Sequence, residues 1–350
     1  MDTSSRWPGW DGWYFFVVPD DQHLPFKMVR ASLMTGLYGL EGIDSYEKLP
    51  PGLSAFDVVE YLTLTPQEEM AGGVRERTNH FSQLYLPKAQ WLTMKPDELK
   101  VAVTDDKINA GAGVERYGSI RGAWPNYELQ FINHATGIQI DLSYHGENLV
   151  WWADIPGIFT YFAAFGKFVG KIISKGAVTE EVYSLDGRGA FEHGFARKPW
   201  NFDTLWLPIR MLQKVIPSLR PVRYQYELLI GDVSFHGGFM HVRAFGIIWR
   251  NRGGLYVHGS YLEISNVELE YLNDPEPDLV NTRPGEPPVT FYRSWKVRAK
   301  TGERILEYVG LREWPPAPVA SNMIYYHFSY EGTFKGERIS GRGYGEYVHI

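Results

Sequence analysis

Two segments of this chain are near copies. Gly187-Arg188-Gly189-Ala190-Phe191-Glu192 recurs as Gly341-Arg342-Gly343-Tyr344-Gly345-Glu346, an offset of 154 residues. Both read G-R-G-x-x-E. The second copy comes at the end of the sequence, so the first is expected to close an earlier unit of similar size. Self-similarity at that distance predicts two related domains rather than a short-repeat solenoid. The opposing reading is a chance match in a chain that holds 36 glycines.

The local patterns are those of strands. Glu128-Leu129-Gln130-Phe131-Ile132 and Gly137-Ile138-Gln139-Ile140-Asp141-Leu142 alternate polar and apolar residues around the turn-like Asn133-His134-Ala135-Thr136. In the second half Arg223-Tyr224-Gln225-Tyr226-Glu227-Leu228 alternates. Ser294 to Arg298 and Arg304 to Val309 flank the hairpin signal Lys300-Thr301-Gly302, and Asn251-Arg252-Gly253-Gly254 reads as a turn. Helical signals are few. Asn201-Phe202-Asp203 is a helix start that Pro208 would break or kink. Residues 158–173 fit either a helix or two apolar strands. Residues 273–288 and 311–318 read as loops. Many short strands with regular turn signals predict barrels or sandwiches. With the repeat, the expectation is an all-β chain with few short helices, in two domains, 1–197 and 198–350.

Aromatic residues are unusually abundant: 12 Trp, 22 Tyr and 19 Phe. They suit a β-rich core and also the walls of a cavity for a large apolar or ring-containing ligand. Net charge is −6 and no run of Lys or Arg stands out, which argues against a nucleic-acid partner. Cys is absent, which excludes disulfides, thiolate metal sites and a Cys nucleophile. His236, His241 and His258 are scattered without metal-ligand spacing, so no metal is expected. No phosphate loop, Rossmann fingerprint or nucleophile elbow is present, and no cofactor is expected. The most apolar stretch, residues 155–166, is too short to span a bilayer as a helix. With no signal peptide recognisable at Met1-Asp2-Thr3-Ser4-Ser5-Arg6-Trp7, a cytoplasmic protein is the expectation.

The segment Gly187 to Phe195 resembles a motif of the AttH-like and carotenoid 1,2-hydratase-like proteins, in which a Gly-rich strand carries an acid and then a His. Glu192 stands where Asp is usual there, and Phe195 where Trp is frequent. Gly341-Arg342-Gly343-Tyr344-Gly345-Glu346-Tyr347 resembles the C-terminal Gly-x-Gly-Tyr-x-Glu strand of the same proteins. The resemblance implies two tandem lipocalin-like antiparallel β-barrels. It also implies an isoprenoid hydratase or, more distantly, a cyclase of the Diels–Alder kind.

Glu192 and His193 are the candidate catalytic pair. Strand neighbours point to opposite faces, so one would face a cavity while the other ties the structure together. Glu192 shares its face with the small Ala190, and a carboxyl group walled by aromatics would have a raised pKa and serve as a proton donor. A structural Glu paired with Arg188, Arg342 or a backbone amide is the alternative. Tyr344 and Glu346 share a face two residues apart and are candidate substrate contacts, with barrel closure the favoured role for Glu346. Tyr144-His145-Gly146-Glu147 and Trp151-Trp152-Ala153-Asp154 combine groups suited to proton transfer with Trp faces suited to a ring or cation. The favoured reading for most of them is a turn at His145-Gly146 followed by a core strand. Trp152 and Asp154, which alternate onto one face, remain as candidate substrate contacts. His327, in an aromatic strand, is a weaker candidate of the same kind.

These residues support three functions. The first is a cofactor-independent enzyme that hydrates, isomerises or cyclises a lipophilic isoprenoid, polyketide or steroid-like substrate. The second is a lipocalin-like carrier of a hydrophobic small molecule, and the third a carbohydrate-active protein with Trp platforms and two carboxylates.

Overall fold

The structure is a computed structural model. It describes the strands named below together with residues 20–21, 23–24, 124–125, 208–209, 211–216, 219–221, 231, 234, 245–246, 258–259, 272, 292–293, 302–303 and 335–336. The strands are β1 (Asp11–Pro19), β2 (Phe26–Thr35), β3 (Glu60–Pro66), β4 (Glu69–Ala71), β5 (Val74–Glu76), β6 (Phe81–Leu84), β7 (Leu99–Thr104), β8 (Lys107–Ala112), β9 (Glu115–Ala123), β10 (Asn126–Asn133), β11 (Ile138–Ile155), β12 (Phe159–Lys175) and β13 (Glu180–Ala196). They continue as β14 (Val222–Ile230), β15 (Phe235–Ala244), β16 (Ile247–Val257), β17 (Ser260–Tyr271), β18 (Asp278–Val280), β19 (Val289–Phe291), β20 (Ser294–Thr301), β21 (Arg304–Arg312), β22 (Ala317–Val319), β23 (Met323–Phe334) and β24 (Glu337–His349).

The chain divides into two compact units, and each is built on one large antiparallel sheet. The first sheet runs β6-β3-β2-β1-β13-β12-β11-β10-β9-β8-β7. The second runs β21-β20-β17-β16-β15-β14-β24-β23, and β21 pairs with β23. That pairing closes an eight-stranded barrel, while β22 adds to the start of β23. The expected all-β fold of lipocalin-like units is the fold observed.

Both units reuse one strand scheme. In the first, the opening strand β1 lies between β2 and the closing strand β13, with β12 beyond. In the second, β14 lies between β15 and β24, with β23 beyond. The registers agree: Tyr14 lies opposite Glu192 and Val18 opposite Arg188, while Tyr226 lies opposite Glu346 and Ile230 opposite Arg342. The two G-R-G-x-x-E segments therefore occupy corresponding strands.

Period-two burial explains most of the barrel. In β20, Trp295, Val297, Ala299 and Thr301 are buried and the intervening Ser294, Lys296, Arg298 and Lys300 are not. The barrel interior gathers Trp295, Tyr326 and Phe328, with ring centroids 5.2 Å apart for Trp295–Tyr326 and for Trp295–Phe328. The first unit has its own aromatic core. Phe15 stacks on Phe191 at 4.9 Å, and Tyr144 packs on Phe168 at 4.6 Å.

Several local expectations are corrected. Residues 159–173 lie in one long strand, β12, and form neither a helix nor two strands. His145-Gly146 is not a turn: β11 passes straight through it, and Gly146 is needed because a Cβ would run into the Trp124 ring. Gly253-Gly254 likewise lies inside β16, where a Cβ on Gly253 would come within 2.6 Å of the Phe239 Cα. The true turn is Phe245-Gly246, with φ of 50° and 80°, the positive pair that a tight hairpin requires. Residues 278–280 form β18 inside the segment read as a loop. The helical signal after Asn201 survives as helical residues at 208–209 and 211–213.

Candidate functional site

The charged side chain that burial singles out is Glu227, with no exposed surface. It lies in β14, whose residues 225–230 are all buried. Alternation places Gln225, Glu227 and Leu229 on one face, and Leu229 belongs to the core inside the barrel. The polar residues of this strand therefore point inward, the reverse of the usual half-buried strand.

Three donors hold the carboxyl. Tyr308 OH donates to Oε2 at 2.5 Å; Tyr326 OH and Gln225 Nε2 donate to Oε1 at 2.9 and 2.6 Å. The Gln225 amide also reaches the Tyr326 hydroxyl at 3.0 Å. Its carbonyl accepts from Tyr271 OH at 2.7 Å. Tyr271 is only partly buried, stacks on Tyr292 at 4.8 Å, and lies under the Arg223 guanidinium at 5.4 Å. A polar line thus runs from a fully enclosed acid to the end of the barrel where β14 begins.

Burial pushes the Glu227 carboxyl up to about 7. The hydrogen bonds from Tyr308, Gln225 and Tyr326 oppose that rise, and the Trp295 indole adds to the opposition without completing a hydrogen bond of good geometry. Tyr308 and Tyr326 are driven well above 10, first by burial and then by the adjacent carboxylate, so both stay protonated donors. Tyr308→Phe removes a donor that favours the charged form. The Glu227 titration should therefore move further upward, which an infrared carboxyl band followed against pH will show. An unmoved midpoint would break this account.

The glycines of the closing motif serve this site. A Cβ on Gly345 would overlap the Tyr326 ring, and one on Gly343 would overlap Phe328. A Cβ on Gly310 would lie 2.5 Å from the Trp295 ring. Three bare backbone positions therefore let Tyr326, Phe328 and Trp295 lie flat against the barrel wall, which brings the Tyr326 hydroxyl to Glu227.

The first unit offers an internal comparison. By the matching registers, Phe15 stands where the second unit has Glu227. Phe15 is buried in its core, so the scheme does not need an acid at this position.

The residues singled out from the sequence fall in three places. Glu192 is buried, but on the face of β13 opposite Phe191 and the first unit's core, beside Tyr14 and Ala163 in register. It does not point into that core; His193 shares the face of Phe191. Tyr344, Glu346 and His327 do come together. Tyr344 OH donates to Glu346 Oε1 at 3.2 Å, Tyr224 OH reaches Oε2 at 3.5 Å, and the His327 ring meets Tyr344 edge-on at 6.0 Å. They lie on the face of β24 opposite Tyr347, outside the barrel core. Trp152 and Asp154 lie in β11, and their side chains fall outside the described residues. Sequence reading missed Glu227. Its signal was a single acid in the otherwise apolar run Tyr226-Glu227-Leu228-Leu229-Ile230.

No family model and no curated protein matches the chain. Solved structures do. CghA, a lipocalin-like Diels–Alderase solved with Sch210972, aligns at TM-score 0.59 and 10% identity over 97% of this chain and 88% of that one. An AttH protein of Nitrosomonas europaea aligns at 0.56 and 10% identity, over 97% and 92%. The chain has the AttH-like fold. Kievitone hydratase from Nectria haematococca aligns at 0.50 and 10% identity, covering 100% of this chain and 92% of its own. At such identities the likeness to AttH-like structures is one of fold, and the chemistry rests on the residues above.

Proposed function

We propose that the protein is a cofactor-independent enzyme of the hydratase or cyclase type that acts on a hydrophobic small molecule, with Glu227 as its general acid. The observation that carries this reading is a protonatable carboxyl set among phenol donors inside an aromatic barrel, where the repeated unit has Phe15. The known AttH-like structures, a hydratase and a Diels–Alderase among them, support the class of reaction. The aromatic side chains around Glu227 support an isoprenoid, polyketide or steroid-like substrate. The two domains are taken as 1–197 and 198–350.

A substrate entering from the Tyr271–Tyr292 end meets the Gln225 amide and then the carboxyl. Glu227 gives its proton to an alkene carbon or a carbonyl oxygen. The faces of Trp295 and Phe291 favour positive charge developing on the substrate, and water or an internal π-bond captures it. The proton lost on capture returns to the carboxylate. A carboxyl titrating near neutrality is suited to both directions of transfer. Glu192 and His193 are the secondary candidates for catalysis, and Trp152, Asp154, Tyr344, Glu346 and His327 for substrate contact.

A binding protein is the second reading, favoured by the complete enclosure of Glu227. One experiment separates the two. Native mass spectrometry of the purified protein should show a retained apolar molecule. That molecule, incubated with the protein in heavy water, should gain deuterium at a carbon or be converted. Recovery unchanged from both wild type and Glu227→Gln identifies a carrier.

A further inference from the structure

We propose that the barrel end carrying Arg223 docks on the surface of an anionic lipid bilayer. Two segments meet there. The β15–β16 hairpin tip exposes Phe245, Ile247 and Ile248, and the helical stretch before β14 exposes Met211, Leu212, Val215 and Ile216, each with 48 to 80% of its surface open. The backbone N–H of Phe245 donates to the Pro221 carbonyl at 2.8 Å, and Gln213 Nε2 to the Leu219 carbonyl at 2.8 Å. These bonds tie the hairpin tip to the end of the helical stretch, so the apolar residues belong to one neighbourhood. Single exposed hydrophobics are ordinary; seven large ones gathered on two linked segments are not.

Charge identifies the occupant. Residues 204–226 contain Arg210, Lys214, Arg220 and Arg223 and no acid, and residues 233–251 contain Arg243 and Arg250 and no acid, within a chain of net charge −6. Lys214 and Arg243 are exposed. Two histidines at this end register the positive field. His349 is held down to about 4 by burial and then by Arg223 and Arg220, and His241 is lowered by burial, against the Asn251 hydrogen bond, with smaller contributions from Arg243 and Arg223. Exposed apolar side chains on segments that also expose Lys214 and Arg243 suit the boundary between anionic headgroups and acyl chains. A second copy of the same face would bring cation against cation.

The same barrel end holds Arg223, Tyr271 and Tyr292, the outer end of the polar line from Glu227. If the proposed function holds, docking presents that end to the phase in which a lipophilic substrate dissolves. The docking itself does not depend on that reading.

The test is co-sedimentation of the full chain with phosphatidylcholine vesicles, with and without phosphatidylglycerol. The wild type should bind the anionic vesicles, and added salt should weaken binding. The double substitution Ile247→Ser, Ile248→Ser should lower partitioning about tenfold or more, as should Lys214→Glu with Arg243→Glu. Unchanged circular dichroism and melting will show that these surface variants are folded. No binding by the wild type, or equal binding by the variants, overturns the proposal. So does a dimer in light scattering that Ile247→Ser dissolves. Loss of vesicle binding with intact turnover, or the reverse, keeps the failure of one reading separate from that of the other.

Discussion

Glu227→Gln should lower turnover by about 100-fold or more while the protein stays folded. Glutamine keeps the shape, and the Tyr308 and Tyr326 hydroxyls can still bond to it. Only the titrating proton is lost. The same variant carries a stability signature of definite sign. The carboxyl rises from 4.5 in the unfolded chain to about 7 in the barrel. Its contribution to stability is therefore fully present below about pH 4.5 and is lost as pH rises through about 7. A shift of that size corresponds to about 3 kcal/mol. Urea unfolding of the wild type should show this decline between those limits, and Glu227→Gln should flatten it, leaving the variant more stable than the wild type at pH 8. A variant that unfolds at every pH would make Glu227 a structural residue. A folded variant with normal turnover would move catalysis elsewhere, with Glu192 the next residue to test.

The second large effect concerns a volume exchange between the units. In the first unit Phe191 faces Ala164 across β13 and β12. At the corresponding places in the second unit, Gly345 faces Tyr326. One large and one small residue fill each site, with the sizes reversed. Gly345→Phe alone should cost about 3 kcal/mol or more, because even a Cβ there overlaps the Tyr326 ring. Tyr326→Ala alone should cost about 3 to 5 kcal/mol through the cavity it leaves. The double variant should fall short of their sum by about 2 kcal/mol, since the new ring occupies the new space. Denaturant unfolding of all four proteins measures that coupling; simple additivity would refute the correspondence of the strands. The double variant also loses one donor to Glu227, so its smaller-than-additive cost in stability should bring no recovery of turnover.

The fold was legible where period two and turn chemistry agree. Ser294 to Arg298 alternates and is a strand with alternating burial, and Lys300-Thr301-Gly302 leads into the tight β20–β21 turn. The repeat was legible as well, because Gly187 and Gly189 recur as Gly341 and Gly343, and at all four a Cβ would crowd neighbouring atoms. Reading failed where one residue type serves two ends. Glycine at 146 and 253 looked like a turn signal, yet its use there is the close approach of an aromatic ring or a neighbouring strand. Which use applies depends on a partner strand distant in sequence. The site was missed for a related reason. Alternation in Arg223 to Leu228 marks two faces but does not say which lies inside. Only closure of the barrel, through β21 and β23, turns Gln225 and Glu227 inward.

Burial of both faces of β14 has a kinetic consequence. A proton on Glu227 has no direct contact with bulk water, so it exchanges only when the surrounding side chains part. Protonation is then gated by motion of the barrel, not by diffusion of buffer. After a rapid pH jump the carboxyl should relax at a rate independent of buffer concentration, set by how often the barrel opens, while turnover, which returns the proton from the captured substrate to the carboxylate, is free of that limit.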